Sequence, residues 1–520
     1  MTLLTMHDFL TMAPHLVLVG GAVAVLISQL ILRRARLSTA FYITLLSLLA
    51  TFGLSLIGLS SVDGRSTLLP AAFGNAESVK AFEGSFIASN LSAMFIALFC
   101  VIGLVVAIFM RRLMPENSIH FAENYFLLLI AIAGFAYAIT AEDFITLFVA
   151  IEMGSLPLIV LAGINRDKPA AGEAAIKYLL SSIFATALIL FGMALLYGAT
   201  GTLRIDDIRK TAYHFSKTDA MRIGWVFVFA GLFFKVSAFR FHAWVADVYE
   251  GSLTIISGLM AALVKVGAFA ILFKMVLTLA DVYRPFVAPG LFIIAALSQL
   301  YGSFASLTQT NLKRLFAYSS IAHAGFLLSF ANIPSDPSLI GVFKQEAGGG
   351  LIVYLFAYSL SVLLAFIAIA MMESDLDHRE PITLGNLYLA GKRNRWAKYA
   401  LTLSTLSLLG MPPLAGFFAK FYTFKYLLFT NQMTLALTVA LSSGIGVYAY
   451  FRVIQKLYLS DEKDVLEINS EIGLLKSNFF HSLILKISYI ALFTFIISFA
   501  LFVGFVYHKG YEAIQKIMGV

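Results

Sequence analysis

Four charged side chains lie where charge is costly. Glu152 sits in FITLFVAIEMGSLPLIVL, and Lys235, Lys265 and Lys420 sit in GLFFKVSAF, GLMAALVKVGAFA and AGFFAKFYTF. A carboxylate or ammonium at such a depth in hydrocarbon costs about 2.5–3.5 kcal/mol on insertion scales unless it is paired or hydrated. The chemistry open to such groups is proton exchange, because desolvation favours the neutral amine and a neighbouring carboxylate favours the ammonium. A lysine whose carboxylate neighbour comes and goes is a switchable proton site. Glu152 is the deep acid available as that neighbour. The competing readings are a helix-gluing hydrogen-bond acceptor for Glu152 and snorkelling for the lysines. Pro157, five residues past Glu152, frees a backbone carbonyl and gives the helix a place to bend, which favours a hydrated site.

Other ionisable groups extend the set. His323, in YSSIAHAGFLL, reads either as a satisfied interhelical hydrogen bond or as a proton relay. Lys177, in EAAIKYLL, is close enough to a span edge to snorkel. Asp247 and Glu250, in HAWVADVYEG, read as a solvated turn or, with His242, Trp244 and Tyr249, as an interfacial cluster. The one cysteine, Cys100, excludes a thiolate metal site or iron–sulfur cluster carried by this chain alone. His323 is the histidine lying well inside an apolar span, so haem ligation by facing histidines fails. No phosphate-binding or dinucleotide-binding glycine motif stands in a strand–helix setting.

The elements that must position these groups are membrane helices. Of 520 residues, 60% are hydrophobic and 13% charged, and apolar runs long enough to cross about 30 Å of hydrocarbon recur throughout. Fourteen spans are expected, near 14–33, 39–59, 88–110, 123–140, 143–163, 174–198, 223–241, 253–279, 286–307, 314–332, 350–372, 397–428, 432–456 and 483–507. The first has its arginines behind it, which is the reverse of a cleavable signal, so it reads as a membrane helix. Arg33, Arg34, Arg36, Arg111, Arg112, Arg166, Lys168, Lys313, Arg314 and the run from Lys392 to Lys398 then share one side. By the positive-inside rule that side is cytoplasmic, with both termini outside. The net charge of +8 is a topology signal, and nothing points to nucleic acid.

Two spans carry breakers: span 12 at Gly410-Met411-Pro412-Pro413, and span 7 where it runs into Arg240, His242 and Trp244. Broken helices at membrane depth are tolerated only against protein or a water-filled cavity. The stretch Ala230–Phe239 returns as Ala415–Phe424 with its lysine in place, and an offset of five spans turns the second copy upside down. Inverted repeats around discontinuous helices build ion and solute translocators. The expected fold is an all-α polytopic membrane protein with two inverted five-helix repeats and broken helices 7 and 12. Its divisions fall at 1–122, 123–279 (helices 4–8), 286–456 (helices 9–13) and 457–520. Aligning AHAG with IEMG sets His323 opposite Glu152.

The motifs LFVAIEMGSLPL, AAIKYLLSSIFATALILFGMALLYGATGT, FKVSAFRFHAWVADVYEG, TQTNLKRLFAYSSIAHAGFLL and GMPPLAGFFAKFY resemble the N-subunit family of proton-pumping NADH:quinone oxidoreductase (respiratory complex I), within the Mrp-type antiporter superfamily. The resemblance runs from about Glu123 to Phe424. It implies that Glu152 and Lys235 form the family's acid–lysine pair and that Lys265 is the central relay lysine. It makes His323 a link onward and Lys420 the exit-side lysine, and it matches Lys177 to a family lysine. It implies a non-redox subunit of a proton-translocating enzyme in a bacterial inner membrane. NAD, FMN, iron–sulfur clusters and quinone would be held by partner subunits, with none in this chain. Where the family has prolines, this chain has Ala246 and Ser252–Ser257. A cation/proton antiporter or membrane-bound hydrogenase subunit, and a stand-alone solute transporter, are the alternative readings.

Overall fold

The computed structural model describes residues 6–31, 36–60, 79–113, 121–215, 219–334, 340–376 and 381–459, together with Val503 and Tyr507. Span 14 lies outside these residues apart from those two positions. The first part of the chain comprises α1 (Met6–Thr11), α2 (Ala13–Ile31), α3 (Arg36–Ser60) and α4 (Asn90–Leu113). A short antiparallel hairpin of β1 (Val79–Ala81) and β2 (Phe86–Ala88) precedes α4. These elements pack against α5 (Phe121–Thr140). Among the described residues ten helices are long and apolar enough to cross a membrane, so the chain is a multi-pass membrane protein.

The two halves that carry the lysines follow. The first holds α6 (Phe144–Ala162), α7 (Pro169–Thr200), α8 (Ile205–Phe215), α9 (Asp219–Lys235), α10 (Val245–Gly251) and α11 (Thr254–Leu259). A π-helical turn, Met260–Val264, leads into α12 (Lys265–Leu307). The second holds α13 (Leu312–Phe330), α14 (Ile340–Asp375), α15 (Leu387–Arg393), α16 (Arg395–Leu409), α17 (Ala415–Phe429) and α18 (Met433–Tyr458). Spans 8 and 9 run together through α12, although the apolar stretches remain separate at Thr254–Leu277 and Val287–Leu307. Spans 7 and 12 are not among the ten because each is cut into short halves. Span 10, which is α13, is not among them because Lys313 and Arg314, with three serines, a histidine and a tyrosine, lower its hydropathy. Those residues are tolerated because nearly all of α13 is buried in protein.

The breaks fall at specific residues. Helix α9 ends at Lys235, and the chain then passes through Ser237 (φ 61°) and Arg240 (φ 73°), two non-glycine residues in the left-handed region. Such conformations persist only where the surroundings over-determine them. Helix α16 ends at Leu409, with Gly410 at φ 89°. Lys235 therefore precedes its break while Lys420 follows one, so the matching stretches 230–239 and 415–424 are not structural equivalents. A chain with 47 phenylalanines produces such matches cheaply. At the α10–α11 corner two serine hydroxyls bond back to the carbonyls of α10. Ser252 Oγ donates to the Val248 carbonyl at 2.7 Å and Ser257 Oγ to the Tyr249 carbonyl at 2.7 Å.

A second correspondence is written in backbone hydrogen bonds. Phe144 N donates to Leu203 O at 3.0 Å and Ile205 N to Glu142 O at 3.0 Å; Leu312 N donates to Ile382 O at 3.1 Å and Leu384 N to Thr310 O at 2.9 Å. Lys274 donates to the carbonyls of Ile139 and Ala141, and Arg452 to those of Leu307 and Gln309. A Cβ at Gly134 would meet Gly154 N, and one at Gly302 would meet Ala322 N. The offsets agree: 312 − 144, 307 − 139, 309 − 141 and 302 − 134 are all 168. At that register Glu152 corresponds to Ser320 and Ser155 to His323, which corrects the pairing of His323 with Glu152. The two registers differ by three residues, and a three-residue shift returns to almost the same helix face.

Close packing at the second break gives a test. A Cβ on Gly416 would lie 1.7 Å from the Ser407 carbonyl oxygen, whereas Gly444 in α18 has nothing within 4 Å. Gly416→Ala is expected to destabilise the detergent-solubilised protein by about 1–3 kcal/mol through overpacking. Gly444→Ala should leave it unchanged or raise it by about 0.5–1 kcal/mol. Thermal unfolding midpoints would separate the two.

Candidate functional site: a chain of buried ionisable groups

Glu152 is presented by α6, whose start is set by Asp143. That carboxylate accepts from Thr146 N at 2.7 Å and from Thr146 Oγ1 at 2.6 Å, capping the helix. The Gly134–Gly154 contact lets α5 and α6 touch close to the level of the acid. Lys235 reaches it from the end of α9. Its Nζ donates to Glu152 Oε1 at 3.1 Å, to Ser182 Oγ at 2.9 Å and to Ser155 Oγ at 3.2 Å. Thr186 Oγ1 donates to the same Glu152 oxygen at 2.7 Å. The side chains are 8% and 18% exposed. Three oxygen partners thus surround Nζ, as many as an ammonium has donors.

Lys265 stands directly after the π-helical turn, a feature that recurs at functional sites. Its ammonium donates to the carbonyl of Ser320 and, at 2.7 Å, to Ser320 Oγ, and lies 5.5 Å from the Tyr358 ring centre. His323, one turn further along α13, is held between two phenols. Nδ1 bonds with Tyr354 OH at 2.7 Å and Nε2 with Tyr450 OH at 3.2 Å, and Tyr450 OH also bonds Ser319 Oγ. An imidazole placed so can take a proton on one nitrogen and release it from the other. Lys420 donates to the Leu409 carbonyl at 2.8 Å, at the interrupted end of α16, and lies 5.5 Å from the Phe326 ring. Lys420 and His323 line one cavity.

The remaining candidates gather elsewhere. Lys177 bonds Asp247 Oδ2 at 2.7 Å and Glu173 at 2.7 Å, and it is half-exposed. Arg314 donates to Asp247 at 2.9 Å and Glu250 at 2.6 Å, and Asn311 donates to Glu250 at 3.0 Å. Lys177 thus belongs with Asp247 and Glu250, at the end of the first broken segment. His242 stands apart from their bonds, with its ring centre 4.6 Å from that of Tyr301 and 5.7 Å from that of Phe239. Sequence reasoning passed over Ser155, Ser182, Thr186, Ser320, Tyr354, Tyr358, Tyr450 and Arg314. The available signal was hydroxyls recurring inside apolar spans, Tyr354 and Tyr358 one helical turn apart among them.

This geometry can be set beside known proteins. A family model described as "NADH:quinone oxidoreductase/Mrp antiporter, TM" matches residues 141–446, a stretch holding Glu152, Lys177, Lys235, Lys265, His323 and Lys420. The subunit N 1 of NADH-quinone oxidoreductase from Chloroherpeton thalassium is 31% identical over 88% of this chain and 90% of its own length. The chain belongs to the NADH:quinone oxidoreductase/Mrp antiporter family. Within that family the corresponding subunit of Koribacter versatilis is 32% identical over 91% of each chain. A chain of respiratory complex I from Thermus thermophilus superposes with a TM-score of 0.73 at 25% identity, covering 95% of this chain and 98% of that one. A chain of the Mrp complex from Dietzia shares the fold, with a TM-score of 0.79 at 18% identity and 98% and 97% coverage.

The Asp247 cluster yields a pH prediction. The hydrogen bond from Lys177, assisted by Arg314, holds the Asp247 carboxyl below the ordinary carboxylate range against the opposing effect of its partial burial. A depressed acid stabilises fully above its unfolded value, and the contribution is lost as pH falls through the folded value. Acidification should therefore loosen α10 from α13, and Lys177→Met should move that loosening to higher pH. Hydrogen exchange of amides 245–251 would read the shift.

Proposed function

We propose that this chain is the proton-translocating membrane subunit of an NADH:quinone oxidoreductase, moving protons through Glu152, Lys235, Lys265, His323 and Lys420. The observation that carries the proposal is the Lys235 ammonium bonded to Glu152 in a hydroxyl-lined pocket at the end of a broken helix. Attraction to Glu152 keeps a proton on Lys235. Separation of the pair removes that attraction and releases the proton toward Lys265, whose partners are a backbone carbonyl, a hydroxyl and an aromatic ring. From there the groups of α13 lead to His323 and Lys420. No proton moves uphill without work, since one charge against 100 mV requires about 2.3 kcal/mol. In this reading quinone reduction in partner subunits supplies the work. Those subunits would also hold the NAD, FMN, iron–sulfur and quinone sites, in a bacterial inner membrane with both termini of this chain on the periplasmic side.

An Mrp-type antiporter or membrane-bound hydrogenase subunit uses the same fold. Support for the first reading comes from relatives named as subunit N at 31–32% identity over most of the chain. Co-purification with an NADH-oxidising assembly would uphold it, and travel with antiporter or hydrogenase subunits would replace it.

Removing the switch tests the mechanism. Lys235→Ala or Glu152→Ala should leave the assembly and its NADH oxidation in place while slowing proton transfer through this subunit by about a hundredfold, the scale of losing a positioned proton-transfer group. The gradient formed per NADH in sealed vesicles reports this. Undiminished pumping with either change would sink the mechanism.

A further inference from the structure

Hydroxyls inside membrane helices commonly give their proton to the carbonyl one turn back. Thr44, Thr51 and Thr423 do so here, at 2.8, 2.8 and 3.0 Å, and Ser155 does so to the Ile151 carbonyl at 2.8 Å. Thr186 departs from that habit. A hydroxyl carries one proton, and this one crosses from α7 to α6, where Glu152 Oε1 accepts it at 2.7 Å. The same oxygen accepts from Lys235 Nζ at 3.1 Å. Among the described residues these two are the side-chain donors to Glu152.

The two bonds differ in kind. Charge-assisted bonds to a carboxylate run at about 2.5–2.7 Å from a hydroxyl and about 2.7–2.9 Å from an ammonium. The threonine therefore stands at full contact, while the lysine stands beyond its usual distance and shares its donors with Ser182 and Ser155. Ser155 has its own proton on Ile151, so toward Lys235 it can only accept. Close helix packing holds Thr186 in place. A Cβ on Gly231, one turn before Lys235 in α9, would lie 2.7 Å from the Ala185 carbonyl oxygen, and one on Gly192 would lie 2.6 Å from that of Gly224. Helices α7 and α9 thus touch backbone to backbone beside Thr186. Ser182, one turn before Thr186 on the same face of α7, meets Lys235 there.

We propose that Thr186 is a positioning residue for the proton switch: its hydroxyl keeps the Glu152 carboxylate supplied with a donor, and aimed at Lys235, through the interval in which the pair is apart. The role rests on the proton-relay reading. A carboxylate left without a donor in apolar surroundings favours its neutral form. The proton leaving the Lys235 nitrogen would then bond to the Glu152 oxygen, giving an amine and an acid that no longer attract each other. A donor already on that oxygen opposes the capture and leaves the proton free to travel onward. Thr186 keeps its own proton throughout.

Shape and hydroxyl can be separated at this position. Thr186→Val keeps the branched side chain and removes the hydroxyl, whereas Thr186→Ser keeps the hydroxyl and removes a methyl. With the whole membrane complex in sealed vesicles, Thr186→Val should slow proton transfer through this subunit about tenfold per assembled complex, the scale of one hydrogen bond to a charged group. Thr186→Ser should restore it. In a Lys235→Ala chain, adding Thr186→Val should cost nothing further, because the groups act as one unit. Infrared difference spectra of the purified complex, Thr186→Val minus unaltered, should gain a neutral carboxylic-acid band that disappears when Glu152→Gln is added. Full pumping by Thr186→Val, or equal losses in Thr186→Val and Thr186→Ser, would overturn the proposal. So would assembly of Thr186→Ser but not of Thr186→Val, which would make the hydroxyl a structural tie. Undiminished pumping in both Lys235→Ala and Glu152→Ala would instead remove the relay itself. Loss in those two beside full pumping in Thr186→Val would remove only the part given to Thr186.

Discussion

Hydrocarbon offers no hydrogen bond, so every charge placed in it must find its partners within the protein. Most of this structure can be understood from that requirement. Lys235 meets it with a carboxylate and two serine hydroxyls, one acceptor for each of its donors. Lys265 and Lys420 meet it with backbone carbonyls, those of Ser320 and Leu409. The second carbonyl stands at the end of α16, so the break that interrupts span 12 also supplies the partner for its lysine. Interrupted helices and buried charges are in this sense one design, each making the other tolerable. Such a design must be wrapped in protein, and helices such as α14 are enclosed almost entirely.

Helix α13 is the element on which the separate groups converge. Its first turn sends Arg314 to Asp247 and Glu250 at the end of the first broken segment. Its middle offers Ser320 to Lys265 and Ser319 to Tyr450, and His323 and Phe326 line the Lys420 cavity. A helix with this many hydroxyls would be poor at crossing lipid alone. Enclosure by α12, α14, α17 and α18 lets it act as a polar spine joining the two halves of the chain.

The charges and the breaks were legible because both violate local expectation. An ammonium in GLMAALVKVGAFA or a Pro-Pro pair in a hydrophobic run stands out against a uniform background, and family resemblance could then suggest which acid and lysine belong together. The hydroxyl partners were not legible, because serine and threonine are unremarkable in membrane helices. Lys177 illustrates the same limit. Its place near a span edge suggested snorkelling and family resemblance a relay group, while the acid it meets, Asp247, is 70 residues away in sequence. The correspondence between halves was misread for a related reason. Short apolar words recur by chance, whereas the backbone bonds of Phe144 and Leu312 recur only with the fold.

The sequence alone determined that this is a helical membrane protein with deep ionisable groups and two interrupted spans, because hydropathy, charge and proline act locally. Tertiary structure decided which groups meet, that Ser320 and not His323 occupies the place of Glu152 in the second half, and that His323 and Lys420 line one cavity. Those outcomes depend on helix rotation and close approach at residues such as Gly134 and Gly302. Rotating a helix by a fraction of a turn leaves its hydrophobic pattern almost unchanged, yet replaces every side-chain partner it has.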